Sequence, residues 1–123
     1  MRLLTIFVLA RSLAVVRASC FGSGPTVTAD NIRDSLPSVC ISLGGHFVKG
    51  EQRYQCVTDA AGIKWDFRLK HKGDSSREIS NFECQDGFSK EITCEHGGRT
   101  GYKNWEYSAD PNSGNCYGIV LDD

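Results

Sequence analysis

Apolar and polar residues alternate without a break from Ile63 to Lys70: Ile63, Trp65, Phe67 and Leu69 fall on one side, and Lys64, Asp66, Arg68 and Lys70 on the other. A period of two over this length is the pattern of a half-buried strand, with one face to a core and one to water. Residues 52–58 alternate less strongly, with Tyr54 and Cys56 opposed to Arg53 and Gln55. Asp59-Ala60-Ala61-Gly62 then gives a connection of hairpin length between the two strands. A third strand is predicted where Lys103, Trp105 and Tyr107 share one side and Asn104, Glu106 and Ser108 the other, and a closing strand from Cys116 to Leu121. Between these, Asp110-Pro111-Asn112-Ser113-Gly114 has turn chemistry: Asp caps, Pro presets φ and Gly relaxes it.

Two stretches follow the helical period instead. Ile32, Leu36, Val39, Cys40 and Leu43 recur at helical spacing, after Thr28 as an N-cap and Asp30 in the first turn. Pro37 conflicts with a continuous helix, because it removes a backbone bond and crowds the preceding turn. Either the helix kinks there or Ser35 recaps a second short helix, and Gly44-Gly45 ends the segment in both cases. The second helix opens at Ser80, with Glu83 completing a capping box and Ile79 placed to staple against Cys84. Cys84, Phe88 and Ile92 form its buried stripe, and Gly97-Gly98 is the expected terminator. Gly87 in its middle costs about 1 kcal/mol against alanine and so marks close packing. Residues 71–77 form a polar loop. The order is helix, two strands, helix, two strands, which predicts an α+β sandwich with an antiparallel sheet of about four strands.

Composition adds a compartment. Arg2, the apolar run Leu3–Ala10 and the small-residue site Val16-Arg17-Ala18 read as a secretory leader over residues 1–18, interrupted only by Arg11, with the cut after Ala18 and the alternative one residue on, after Ser19. It is shorter than the roughly 20 apolar residues that span a membrane. Residues 19–123 are then one secreted domain, without linker or repeat. Of the 14 basic residues, Arg2, Arg11 and Arg17 leave with the leader, so 11 remain against 15 acidic, a net charge of −4. That balance argues against a nucleic-acid partner, whose footprint is basic, and gives no support for an acidic membrane surface. The six cysteines, Cys20, Cys40, Cys56, Cys84, Cys94 and Cys116, all follow the leader. An even count in a short secreted chain implies three disulfides among fifteen possible connectivities, with Cys84 and Cys94 set against other elements. No Asn-x-Ser/Thr acceptor site occurs.

The cysteine order, together with Glu91-Ile-Thr-Cys94-Glu-His-Gly-Gly98, Trp105-Glu-Tyr107 and Asp110-Pro-Asn-Ser-Gly114-Asn-Cys116, resembles a family of small secreted fungal proteins. That family includes a mushroom glycan-binding protein and elicitor-like proteins of plant-associated fungi. The resemblance runs from Cys20 to Cys116 and implies an αβ sandwich, secretion and, for some members, carbohydrate binding or induction of host defence. At the level of fold alone the sandwich also resembles the viral killer toxins of smut fungi. A shared fold does not carry a function by itself.

The residues offer three chemistries. If the strands pair, Asp66, Arg68, Asn104 and Glu106 collect on a polar face, and such a cluster can hold sugar hydroxyls by charge-assisted hydrogen bonds. The same cluster is also what an ordinary solvated face looks like. Trp65 sits among apolar neighbours and reads as core, and Trp105 and Tyr107 follow the same periodicity. Trp105 and Tyr102 are nonetheless the rings proposed to pack on a sugar, with Tyr102 and Tyr117 the better exposed. Glu95, His96 and Glu106 are the candidates for an acid–base set, although His96 also fits a helix-end residue facing free carbonyls. Cys94-x-His96 lacks the paired spacing of structural zinc, so the disulfide reading takes precedence and no metal or cofactor is expected. The leading expectation is a non-enzymatic effector or elicitor that binds a host or cell-wall glycan, or a host surface protein, with avidity from a homodimer or a repeated ligand. A small secreted hydrolase and a directly acting antimicrobial toxin are the alternatives.

Overall fold

A computed structural model describes residues 19–116; the predicted leader, Tyr117 and all of the predicted closing strand except Cys116 lie outside the described residues. The alternating stretch forms β4 (Lys64–His71), which pairs antiparallel along its length with β3 (Gln52–Thr58) on one side and β7 (Trp105–Asn112) on the other. With β6 (Gly98–Tyr102) and β1 (Ser19–Cys20) they make a five-stranded antiparallel sheet in the order β1-β6-β7-β4-β3. A second sheet pairs β2 (Gly45–Phe47) with β5 (Arg77–Ile79). Two helices, α1 (Leu36–Leu43) and α2 (Asn81–Glu91), pack on each other and on one face of the large sheet, giving the expected α+β architecture.

The core lies between that face and the helices. Trp65, Phe67 and Leu69 of β4 and Trp105, Tyr107 and Ala109 of β7 are buried against Leu36, Val39, Cys40 and Leu43 of α1 and Cys84 and Phe88 of α2. Phe88 is the central ring, edge-on to Phe67 at 5.2 Å and to Tyr107 at 5.3 Å. Gly87 allows this packing: a Cβ there would clash with the Tyr107 ring at Cε2 and Cζ and stand 2.6 Å from Cδ2.

Several elements depart from the periodicity. No α-helix begins at Thr28; two 3-10 turns, Ala29–Asn31 and Arg33–Ser35, precede α1. Pro37 stands in the first turn of α1, where its missing N–H breaks no helical bond. Ser35 holds the N-cap position without a side-chain bond. The far end of α1 is closed by Arg53, whose guanidinium donates to Gly44 O at 2.8 Å and to His46 O, pairs with Glu51 at 2.9 Å and lies 3.8 Å over the Phe47 ring.

In α2, Ser80 Oγ accepts from the Glu83 N–H at 3.0 Å, as the cap signature predicts. The helix ends at Glu91, however, so Gly97-Gly98 is not its terminator. Gly97 precedes β6 and Gly98 begins it, in a gap without room for side chains: a Cβ on Gly98 would stand 2.8 Å from Ser19 O and 3.1 Å from Cys94 Sγ. Strand β6 joins β7 through the turn Lys103-Asn104, with Lys103 at φ +58°. Strand β7 in turn runs through Asp110-Pro111-Asn112, which was expected to be a turn. Pro111 is tolerated because β6 stops pairing at Ala109, leaving a free edge beyond it.

The disulfides are Cys20–Cys94, Cys40–Cys84 and Cys56–Cys116. They tie β1 to the segment after α2, α1 to α2, and β3 to the segment after β7. With sequence separations of 74, 44 and 60 residues, each closes a long loop in the unfolded chain. Three disulfides are typical of extracellular proteins. Among the described residues no cysteine is free and no helix is long and apolar enough to cross a membrane.

Candidate functional site

Both helices cover the inner face of the sheet, so the outer face presents the opposite half of each alternation. The antiparallel register places Tyr54 opposite Arg68, Arg68 opposite Ser108, and Ser108 opposite Arg99, one row across four strands. At about 4.8 Å between strands the row is roughly 14 Å long. In the next row Asp66 faces Asp110. Ser108 is short, and it leaves a depression of about 430 Å³ between the two arginines, lined also by Asp66, Asp110, Tyr54 and Phe21.

The polar groups here are only partly committed to one another. Arg68 reaches Glu106 Oε1 with Nη2 at 3.5 Å, and its Nε is buried without a hydrogen-bond partner. Asp66 accepts from Asn112 Nδ2 at 2.7 Å and lies 3.6 Å from Lys64 Nζ. Burial raises the Asp110 carboxyl above its ordinary value and the facing Asp66 charge adds to this, against the Asn112 hydrogen bond and the charges of Arg99 and Lys64. Donors, acceptors and a ring therefore line one concave surface, as a polyhydroxylated ligand requires. Tyr54 is 67% exposed and stands at the margin of the depression.

Of the residues singled out in the sequence, Asp66, Arg68 and Glu106 do share this face. Asn104 does not: it lies in the Lys103-Asn104 turn, and its carbonyl accepts from the Lys72 N–H at 2.7 Å. Trp105 is 1% exposed, edge-on to Phe47 at 5.0 Å and 4.8 Å from His71, so its ring belongs to the core and is closed to any ligand. Tyr102 is 50% exposed but faces the helix side, in a separate groove with Phe82, Glu83, Asp86 and Lys103. Tyr102 is three positions from Arg99 along β6, an odd step that puts the two on opposite faces.

The acid–base set is not brought together. Glu95 is exposed, and His96 is half-buried well past the end of α2, with Nδ1 at 3.2 Å from Pro25 O. A carbonyl only accepts, so that nitrogen carries the proton. Glu106 is opposite Gly101 within β6, whereas His96 lies before that strand begins at Gly98. Cys94 is oxidised and has no thiolate to give a metal.

Sequence reasoning missed Arg99, Ser108, Asp110, Tyr54 and Phe21. Arg99 follows a double glycine in a strand without alternation, and Asp110 was assigned to a turn. Ser108 already lay on the polar side of a predicted strand, whereas Tyr54 fell with Cys56 on the side opposed to Arg53 and Gln55, and only its pairing with Arg68 puts it on the outer face. No protein-family model matches this sequence, and no curated protein matches it at a significant level.

Proposed function

We propose that this protein is a secreted, non-enzymatic binding module that recognises glycans on its outer sheet face, acting as an effector or elicitor at a host surface. The carrying observation is the Tyr54–Arg68–Ser108–Arg99 row above the facing Asp66 and Asp110. Guanidinium and carboxylate groups bracket adjacent hydroxyls of a sugar, while the exposed Tyr54 ring packs on its apolar face. The disulfides, the leader-like start and the family resemblance support extracellular action. The site is shallow, so single-site affinity is weak and avidity comes from a dimer or a repeated ligand.

The test is retention on an array of glycans by the oxidised protein. Arg68→Ala removes a charge-assisted hydrogen bond worth about 1.5–3 kcal/mol, so affinity for the retained sugar should fall about 10- to 100-fold. Tyr102→Ala, on the other face, should leave it unchanged. Equal loss in both variants, or retention on no glycan, contradicts the reading. A hydrolase on the same face is favoured by one observation, the facing Asp66 and Asp110 with the Asp110 carboxyl raised, the environment of an acid–base pair. Release of sugar by the wild-type protein would replace the binding-module reading.

A further inference from the structure

Glu91 ends α2 with its side chain fully buried. Its Oε1 accepts from the Thr100 hydroxyl at 3.2 Å, and Oε2 is buried with no hydrogen-bond partner. A buried carboxylate with an orphan oxygen is costly unless a proton or a cation compensates it. Burial accordingly pushes the carboxyl up to about 7, opposed by the Thr100 hydrogen bond and the Lys90 charge. Lys90 lies on the same helix; from β7 the titratable neighbour is Tyr107, whose phenol burial keeps protonated, and from β6 it is the Thr100 hydroxyl that faces Glu91.

Strand β1 closes over this carboxyl. The Ser19 backbone N donates to Thr100 Oγ1 at 3.0 Å, so a single hydroxyl accepts from Ser19 and donates to Glu91. The bare Cα of Gly98 allows the approach, since a Cβ there would stand 3.1 Å from Glu91 Oε1. The neighbouring Cys20–Cys94 disulfide holds the strand in place. Ser19 is also the residue that follows the cleavage site Val16-Arg17-Ala18.

We propose that cleavage after Ala18 completes the fold electrostatically: the new α-ammonium of Ser19 becomes, through Thr100, the counter-charge of the buried Glu91 carboxylate. Hydrolysis of the Ala18–Ser19 bond by a leader endoprotease consumes one water and leaves a carboxylate on Ala18 and a protonated amine on Ser19. Before the cut the same nitrogen is a neutral amide that makes the same hydrogen bond without the charge. The inference rests on the secreted reading for the position of the cut and does not depend on any glycan.

The sign follows from the two states. With an amide at Ser19 N, Glu91 ionises at higher pH folded than unfolded, so stability falls as pH rises from about 4.5 to about 7 and stays low above. With an ammonium there, the carboxylate is compensated and stability persists until the amine itself deprotonates, above its usual value of about 8.

The experiment compares two oxidised chains that begin at Ser19, one with a free amine and one Nα-acetylated, unfolded by urea across this pH range. The two should agree near pH 4.5, and near pH 7 the free-amine chain should have a folding constant about 10-fold larger, the equivalent of one pKa step. Superimposable profiles overturn the proposal. Glu91→Gln should erase the difference between amine and acetyl; a difference that persists overturns it. Should that variant not fold, the Glu91 side-chain carboxyl titration, followed by carbon NMR, should show a lower midpoint in the amine form, and equal midpoints overturn it. An intact mass of the secreted protein with its N-terminus elsewhere also overturns it, while leaving the glycan reading untouched.

Discussion

Gly87→Ala is expected to destabilise the protein by about 2 kcal/mol or more. Alanine is the better helix former and on an exposed helix would gain about 1 kcal/mol. Here the added methyl would clash with Cε2 and Cζ of the Tyr107 ring, and that ring is buried and held edge-on by Phe88 at 5.3 Å. Relief requires α2 to lift from β7, which opens the core around Phe88, and overpacking of this kind costs about 3 kcal/mol and sometimes more. Steric cost therefore exceeds propensity gain. A urea titration should show a lower midpoint at unchanged slope. A stabilised variant would mean that α2 does not seat on Tyr107.

Asp59→Ala should cost about 3 kcal/mol, for a different reason. Asp59 Oδ1 accepts from the N–H groups of Ala61 and Ile63 at 2.8 and 2.9 Å, and Oδ2 accepts from Trp65 Nε1 at 2.9 Å. One carboxylate thus folds the β3–β4 connection and satisfies the indole of a residue with no exposed surface. The turn amides can recover water when Asp59 is removed, but the indole N–H cannot, and an orphaned buried donor costs about 1–3 kcal/mol. Asp59→Asn keeps one acceptor oxygen and should lose less. A loss under about 1 kcal/mol for the alanine variant would show that water reaches the indole.

These two residues also show how far the sequence could be read. Gly87 was conspicuous because a mid-helix glycine breaks a local preference, and such conflicts mark tertiary contacts. Trp65 was placed in the core by its period, yet nothing local indicated that Asp59 would reach its indole. Strand β4 was legible because both faces obey the alternation. Strand β6 was not: Gly98 and Gly101 replace its pattern, and its existence depends on β1 and β7 closing around it. Without β6, Arg99 had no face, because only pairing with β7 sets it opposite Ser108. Reading Asp110-Pro111 as a turn followed from its composition, and it failed because Pro111 sits where β7 has no partner on one side. Trp105 and Tyr102 drew attention as aromatic residues near polar ones, but their place on the inward half of the pleat sets them apart from Arg68 and Asp66.

The central claim is that the outer sheet face is the ligand surface. The most direct measurement is an amide NMR titration of the oxidised protein with a glycan retained on the array. Binding at the proposed site predicts dose-dependent shifts at Tyr54, Arg68, Arg99, Ser108 and Asp110, with Phe82, Tyr102 and Lys103 unmoved. Shifts confined to the Phe82–Tyr102 groove, or none on either face, would contradict it.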